Sequence, residues 1–131
     1  MYGPGPRPEC HDRGVQHLAL AVTDQEQSRR FYETYFGFDA APPREYDDGV
    51  LMLYDAHGFS LALGPVEGPI ELPPFLHFGV RADSPDAVHA FRQRLRADAV
   101  PIVEEWDERK YVSVKCRDPD GYVVEYSWEP R

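Results

Sequence analysis

The chain has 131 residues, a formal net charge of -9 and 42% hydrophobic residues. That length buries roughly two-thirds of the unfolded surface, enough for one core and too little for two independent domains. The acidity argues against nucleic acid and anionic membranes as partners, since both need a basic surface, and no apolar run is long enough to cross a bilayer.

Residues 1–14 read as a flexible lead-in. Met1-Tyr-Gly-Pro-Gly-Pro-Arg-Pro is rich in Pro and Gly, shows no apolar period and lacks the hydrophobic core of a signal peptide. Cys10 and Cys116 have no paired spacing, so a reduced, cytoplasmic setting is expected. Val15 to Val22 then alternates, with Leu18, Leu20 and Val22 on one face and His17, Ala19 and Ala21 on the other, as in a half-buried strand. Thr23-Asp-Gln-Glu26 has the spacing of a capping box with Thr23 as N-cap. The helix it starts buries Phe31 and Tyr35 and stops at Gly37. Val50 to Tyr54 and Phe59 to Leu63 are short strands about a turn at Ala56-His57-Gly58.

Residues 65–74 carry four prolines and read as a connector. Beyond it the plan repeats. Leu76 to Val80 is a strand, Ser84-Pro85 caps a helix with the stripe Val88, Phe91 and Leu95, and three strands follow at Ile102 to Trp106, Tyr111 to Cys116 and Tyr122 to Trp128. The repeat is visible in the residues themselves. His17 precedes Phe31 by the same spacing as His77 precedes Phe91, and Asp55-Ala-His-Gly58-Phe-Ser-Leu-Ala echoes Asp118-Pro-Asp-Gly121-Tyr-Val-Val-Glu. A period of about sixty residues suits one supersecondary module used twice. The expected fold is therefore α+β: two β-α-β-β-β modules, about 15–64 and about 75–128, in a single domain over 15–131, forming a curved eight-stranded half-barrel around a concave cavity.

Strand alternation assigns faces. Leu18 and Leu20 cover the helix, so His17 points into the concave side; Phe78 and Val80 likewise send His77 inward. In the last strand Val123, Glu125 and Ser127 face in, and in the one before it Tyr111, Ser113 and Lys115 do. Two histidines and a carboxylate with open positions form a facial triad of the kind used by Fe2+, Mn2+, Zn2+ and other divalent ions. Lys115 would suit an anionic substrate, and would move protons if desolvation lowered its pKa. Met52, Tyr54, Tyr111 and Ser113 would line the substrate pocket. Glu104, Glu105 and Asp107 form an acidic run whose inward member the pattern leaves open, while His57 on a turn and His89 on a helix are expected to face solvent.

These residues resemble the vicinal oxygen chelate superfamily, which includes glyoxalase I, extradiol dioxygenases, fosfomycin-resistance transferases, methylmalonyl-CoA epimerase and bleomycin-resistance proteins. The resemblance rests on His17-Leu-Ala-Leu-Ala-Val with Phe31-Tyr32 and Gly37-Phe38, and on Asp118-Pro-Asp-Gly121-Tyr-Val-Val-Glu125. Carried over, it puts one divalent metal ion (Fe2+, Mn2+, Ni2+ or Zn2+) on His17, His77 and Glu125, and implies a homodimer, sometimes with modules paired across chains. It implies a metal-dependent enzyme, a lyase, isomerase, transferase or extradiol-type dioxygenase, acting on a small oxygenated substrate. Ala62 stands where glyoxalase I has a fourth ligand, and Lys115 where dioxygenases and fosfomycin-resistance enzymes have a tyrosine. The alternative within the superfamily is a metal-free protein that sequesters a small molecule, as bleomycin-resistance proteins do.

Overall fold

The computed structural model describes residues 14–131. Residues 1–13, with Cys10 and almost all of the expected lead-in, lie outside the described residues. From the first module come β1 (His17–Val22), α1 (Gln25–Phe36), β2 (Arg44–Glu45), β3 (Leu51–Tyr54) and β4 (Ser60–Pro65). The second supplies β5 (His77–Arg81), α2 (Pro85–Ala97), β6 (Ile102–Glu108), β7 (Tyr111–Arg117) and β8 (Val123–Trp128). Each module makes its own four-stranded mixed sheet, β1-β4-β3-β2 and β5-β8-β7-β6, in which the first strand pairs in parallel with the last. The registers match: His17 lies opposite Ser60 and Ala19 opposite Ala62, as His77 lies opposite Val123 and Gly79 opposite Glu125. The expected two-module, glyoxalase-like α+β architecture is present, with the eight strands divided equally between two half-sheets.

Local chemistry explains the punctuation. Gly37 ends α1 at φ 71, a left-handed conformation that Gly adopts without a Cβ penalty. Ser84 caps α2 by accepting from the Ala87 amide at 3.1 Å. The two matching turns are built alike: Asp55 accepts the amides of His57 and Phe59, and Asp118 those of Asp120 and Tyr122. The N-cap of α1 departs from expectation. Asp24, not Thr23, accepts the Gln27 amide, at 3.0 Å. The Thr23 hydroxyl instead donates to Asp120 of the second module at 2.5 Å, so a tertiary contact takes the residue away from the capping box. Strand limits shift by a few residues, and Val15, 84% exposed, falls outside β1.

One core joins the modules. Leu20, Val22, Phe31, Tyr32, Leu53, Leu61 and Leu63 pack with Val88, Phe91, Leu95, Val112, Val114, Cys116 and Val124, the helix-facing sets that alternation selects. Phe36 of α1 meets Phe91 of α2 with ring centroids 5.3 Å apart, and Tyr32 stacks on Phe78. The Asp118–Gly121 turn docks on the first module: Asp118 accepts the Tyr32 hydroxyl at 2.7 Å, and the Tyr122 hydroxyl donates to the Ala21 carbonyl at 2.9 Å. Among the described residues no helix is long and apolar enough to cross a membrane.

Candidate functional site

Residues opposite one another on neighbouring strands share a face, so the ladders show which side chains the sheets bring together. In the first sheet one row holds His17, Ser60 and Tyr54, and the next Ala19, Ala62, Met52 and Arg44. His17, Met52 and Tyr54 therefore lie on one face, with His17 exposed. In the second sheet Glu125 lies between Gly79 and Lys115, and Ser113 lies opposite Trp106. His77, Glu125, Ser113, Lys115, Tyr111 and Trp106 share that face.

Glu125 is the centre of the second face. It is 8% exposed, and a carboxylate that far out of water needs partners. The hydroxyls of Tyr111 and Ser113 both donate to its Oε2. Its Oε1 lies 3.6 Å from His77 Nε2. The other ring nitrogen of His77 is engaged, because Nδ1 lies 2.8 Å from the carbonyl of Phe75. A carbonyl only accepts, so Nδ1 carries a proton, and Nε2 is the ring atom that faces Glu125. Burial, and then the hydrogen bond to Glu125, raise the pKa of the Tyr111 phenol, which keeps it a donor.

The inward member of the acidic run is Glu104. Its carboxylate lies 2.7 Å from Lys115 Nζ and accepts the Trp106 indole N–H at 2.9 Å. Glu105 and Asp107 point the other way, onto Arg92 of α2. Arg92 is 5% exposed and also donates to the carbonyls of Trp106 and Ser113, both at 2.7 Å, tying the helix to β6 and β7. The orphan Nε of Arg92 lies 3.3 Å from Glu105, close enough for charge attraction but poorly aligned for a hydrogen bond.

Lys115 meets a carboxylate partner on this face. Its pKa is raised, chiefly by the hydrogen bond to Glu104, and desolvation is the weaker, opposing influence. The condition for a neutral, proton-accepting lysine is not met, and the residue is a paired ammonium. Glu104 neutralises Lys115 on this face, while Glu125 is held by two neutral hydroxyls.

Among the described residues no three His, Cys, Asp or Glu side chains of one chain converge within metal-binding reach. His77 and Glu125 stand together; His17 stands on the other sheet. His57 and His89 are exposed. Cys116 is fully buried, and burial pushes its thiol up to about 12. Two of the cavities between the modules lie against β1 and β5. One, of about 340 Å³, runs from Ala19 of β1 past Leu72 to His77 and Tyr122. The other, of about 530 Å³, has walls of Leu18, Phe36, Phe38, Phe59 and Phe78 and a rim that includes Arg81 and Arg131.

The comparisons with known proteins agree with this architecture. Residues 14–126 match the model of the Glyoxalase/Bleomycin resistance protein/Dioxygenase superfamily. The trivalent organoarsenical cleaving enzyme of Bacillus sp. (strain MD1) is 28% identical over 120 residues, covering 84% of this chain and 70% of that protein. Among solved structures, the fosfomycin resistance protein FosX of Listeria monocytogenes superposes with a TM-score of 0.73 at 18% identity, over 89% of this chain and 93% of that one. TnmS3, an antibiotic binding protein from a Streptomyces species, gives 0.67 at 26% identity, over 89% and 96%.

Proposed function

The chain belongs to the Glyoxalase/Bleomycin resistance protein/Dioxygenase superfamily, and from that premise we propose that it is a metal-dependent enzyme working as a homodimer. His77 and Glu125 of one chain would hold a divalent ion (Fe2+, Mn2+, Ni2+ or Zn2+), and His17 of a second copy would complete the triad. The observation that carries this reading is the pair His77 Nε2 and Glu125 Oε1, 3.6 Å apart. Nε2 and Oε1 face each other while the partner atom of each is tied up, His77 Nδ1 by Phe75 and Glu125 Oε2 by two hydroxyls. Such outer contacts are what orient and stiffen a metal ligand.

Bound there, a divalent ion would supply Lewis acidity towards vicinal oxygens of a small substrate, and Fe2+ would add redox chemistry with O2. The protein groups do the rest. Tyr111 and Ser113 hold Glu125 in place, Lys115 holds its positive charge near an anionic group, and Met52 and Tyr54, beside His17, form the opposing wall. Cys116 faces the core with a raised pKa, so it offers no thiolate to a soft centre such as trivalent arsenic; an oxygenated, anionic substrate suits the site better. Dioxygenase, isomerase and transferase chemistries all use this ligand set.

Elemental mass spectrometry of untagged protein tests the reading. About one divalent ion per chain, lost in Glu125→Ala, is expected for a three-ligand site. Absence of metal after reconstitution with all four ions sinks it.

A second reading has its own support. The aromatic-walled cavity of about 530 Å³ is of small-molecule size, and TnmS3 binds an antibiotic. A sequestering protein would gain thermal stability from such a ligand, with no turnover and no dependence on Glu125.

A further inference from the structure

Pro73-Pro74-Phe75-Leu76 forms a turn in which the Leu76 amide donates to the Pro73 carbonyl at 3.4 Å. Pro74 takes the second position, where its fixed φ fits. A turn of this kind needs positive φ at the third position, which Gly or Asn usually supplies. Here the residue is Phe75, at φ 72. Its Cβ disfavours that conformation, and its ring gains little from burial, since the residue is 88% exposed. Packing does not account for a large aromatic residue in this backbone state.

What the turn does achieve is directed at His77. The Phe75 carbonyl accepts from His77 Nδ1 at 2.8 Å, and the Phe75 ring stands edge-on to the imidazole with centroids 5.2 Å apart. In an ordinary extended strand a carbonyl two residues back points sideways into the ladder, away from the side chain. The left-handed residue swings it onto the imidazole instead. We propose that Phe75 is a positioning residue for His77: its αL backbone aims a carbonyl at Nδ1, holds the neutral imidazole in the Nδ1–H tautomer and leaves Nε2 as the atom facing Glu125 Oε1. The consequence for metal rests on the reading above; the tautomer itself does not. Among the described residues His17 has no such device: Val15, the matching position, lacks a positive φ, and the Gln16 carbonyl accepts the Ser60 amide in the sheet.

The backbone origin of the effect makes it testable by residue shape. Phe75→Val puts a β-branched side chain where φ must be positive and should shift the turn; Phe75→Gly keeps the αL conformation and removes only the ring. Nitrogen-15 NMR of metal-free protein, at a pH where imidazole is neutral, reads the His77 tautomer directly. The Nδ1–H form is expected to persist in wild type and Phe75→Gly and to give way to Nε2–H in Phe75→Val. Zn2+ titration should show affinity 10–100-fold weaker in Phe75→Val and near wild type in Phe75→Gly, the range found when an outer-shell partner of a ligating histidine is lost. Should Phe75→Val not fold, Pro74→Gly, which loosens the turn and leaves Phe75 and His77 in place, carries the same expectation. An unchanged tautomer in the disrupted turn overturns the proposal, and so does an equal loss in Phe75→Gly. A locked tautomer in a protein that retains no Zn2+ upholds this inference and removes the metal reading instead.

Discussion

Lys115 and Glu104 are neighbours across the β6–β7 ladder, with Nζ and carboxylate 2.7 Å apart. The ion pair keeps the lysine charged and the glutamate ionised: the pKa of Lys115 is raised and that of Glu104 lowered, each first by the hydrogen bond to the other. The contact is therefore an ion pair at the edge of the Glu125 face.

A group with a raised folded pKa stabilises fully below its unfolded value and loses that contribution as pH rises through the folded one; for a lowered carboxylate the loss comes as pH falls. The Lys115–Glu104 contribution should thus be constant between the ordinary values of 4.5 and 10.5. Lys115→Met should lower the urea midpoint slightly and equally across that window, and the difference should fade outside it. An activity profile that inflects near neutral pH in wild type and not in Lys115→Met would contradict the assignment of Lys115 as a charge holder.

Arg92 makes the second strong tie, from α2 to β6 and β7. Its guanidinium donates at 2.7 Å to Asp107 and to the carbonyls of Trp106 and Ser113. Arg92→Leu removes a charged donor from two carbonyls while Glu105 and Asp107 regain water, so a loss of about 2–3 kcal/mol is expected. Lys cannot span the three acceptors with one ammonium, and Arg92→Lys should recover under half of that. Because Ser113 also holds Glu125, metal affinity should fall with Arg92→Leu even where the protein remains folded. Denaturant titration beside metal titration separates the two effects.

The Asp118 turn offers a buried hydrogen bond whose worth depends on pH. Tyr32 is fully buried and donates to Asp118, which is 5% exposed. Burial raises the Asp118 pKa, and the Tyr32 hydroxyl is the first influence opposing that rise. Tyr32→Phe should cost about 1–3 kcal/mol at neutral pH, the desolvation cost of an underpaired buried group. It also removes a donor to the ionised form, so the Asp118 pKa should climb further. The deficit should then shrink as pH falls towards the carboxylate range, where both proteins protonate Asp118. Parallel thermal melts at neutral and acid pH measure it.

Much of this site could be read in the residues because one module is used twice. The His17–Phe31 and His77–Phe91 spacings and the two Asp-x-x-Gly turns mark strand, helix and hairpin in each half, and alternation put Glu125, Tyr111, Ser113 and Lys115 on one face. The inward member of Glu104, Glu105 and Asp107 was hidden by a register shift between Ile102 and Glu104. Ile102 lies opposite Cys116 on the core face, yet Glu104 lies opposite Lys115 on the other, so counting by twos from Ile102 gives the wrong side. Thr23 and Asp24 are both able N-caps, and the choice between them falls to Asp120, ninety-seven residues away. Phe75 is not legible in the sequence, because no propensity predicts an aromatic residue at positive φ.

The separation of His17 from His77 and Glu125 leads to the most discriminating test of assembly. His17 belongs to the first sheet, and the two sheets are not hydrogen-bonded to each other. If the triad forms across a two-fold axis, each site takes His17 from one chain and His77 with Glu125 from its partner. His17→Ala and Glu125→Ala homodimers should both lack metal. In a mixed dimer both lesions fall on the same site, and the second site receives an intact His17 and an intact Glu125. Co-expressed variants that reassociate at random should therefore hold roughly a quarter of the wild-type metal, all of it in the mixed dimers. If the chain instead closes on itself to bring His17 to His77, every site in every combination carries a lesion, and mixing restores nothing. Elemental analysis of differentially tagged, separated mixed dimers distinguishes the two arrangements without knowledge of the substrate.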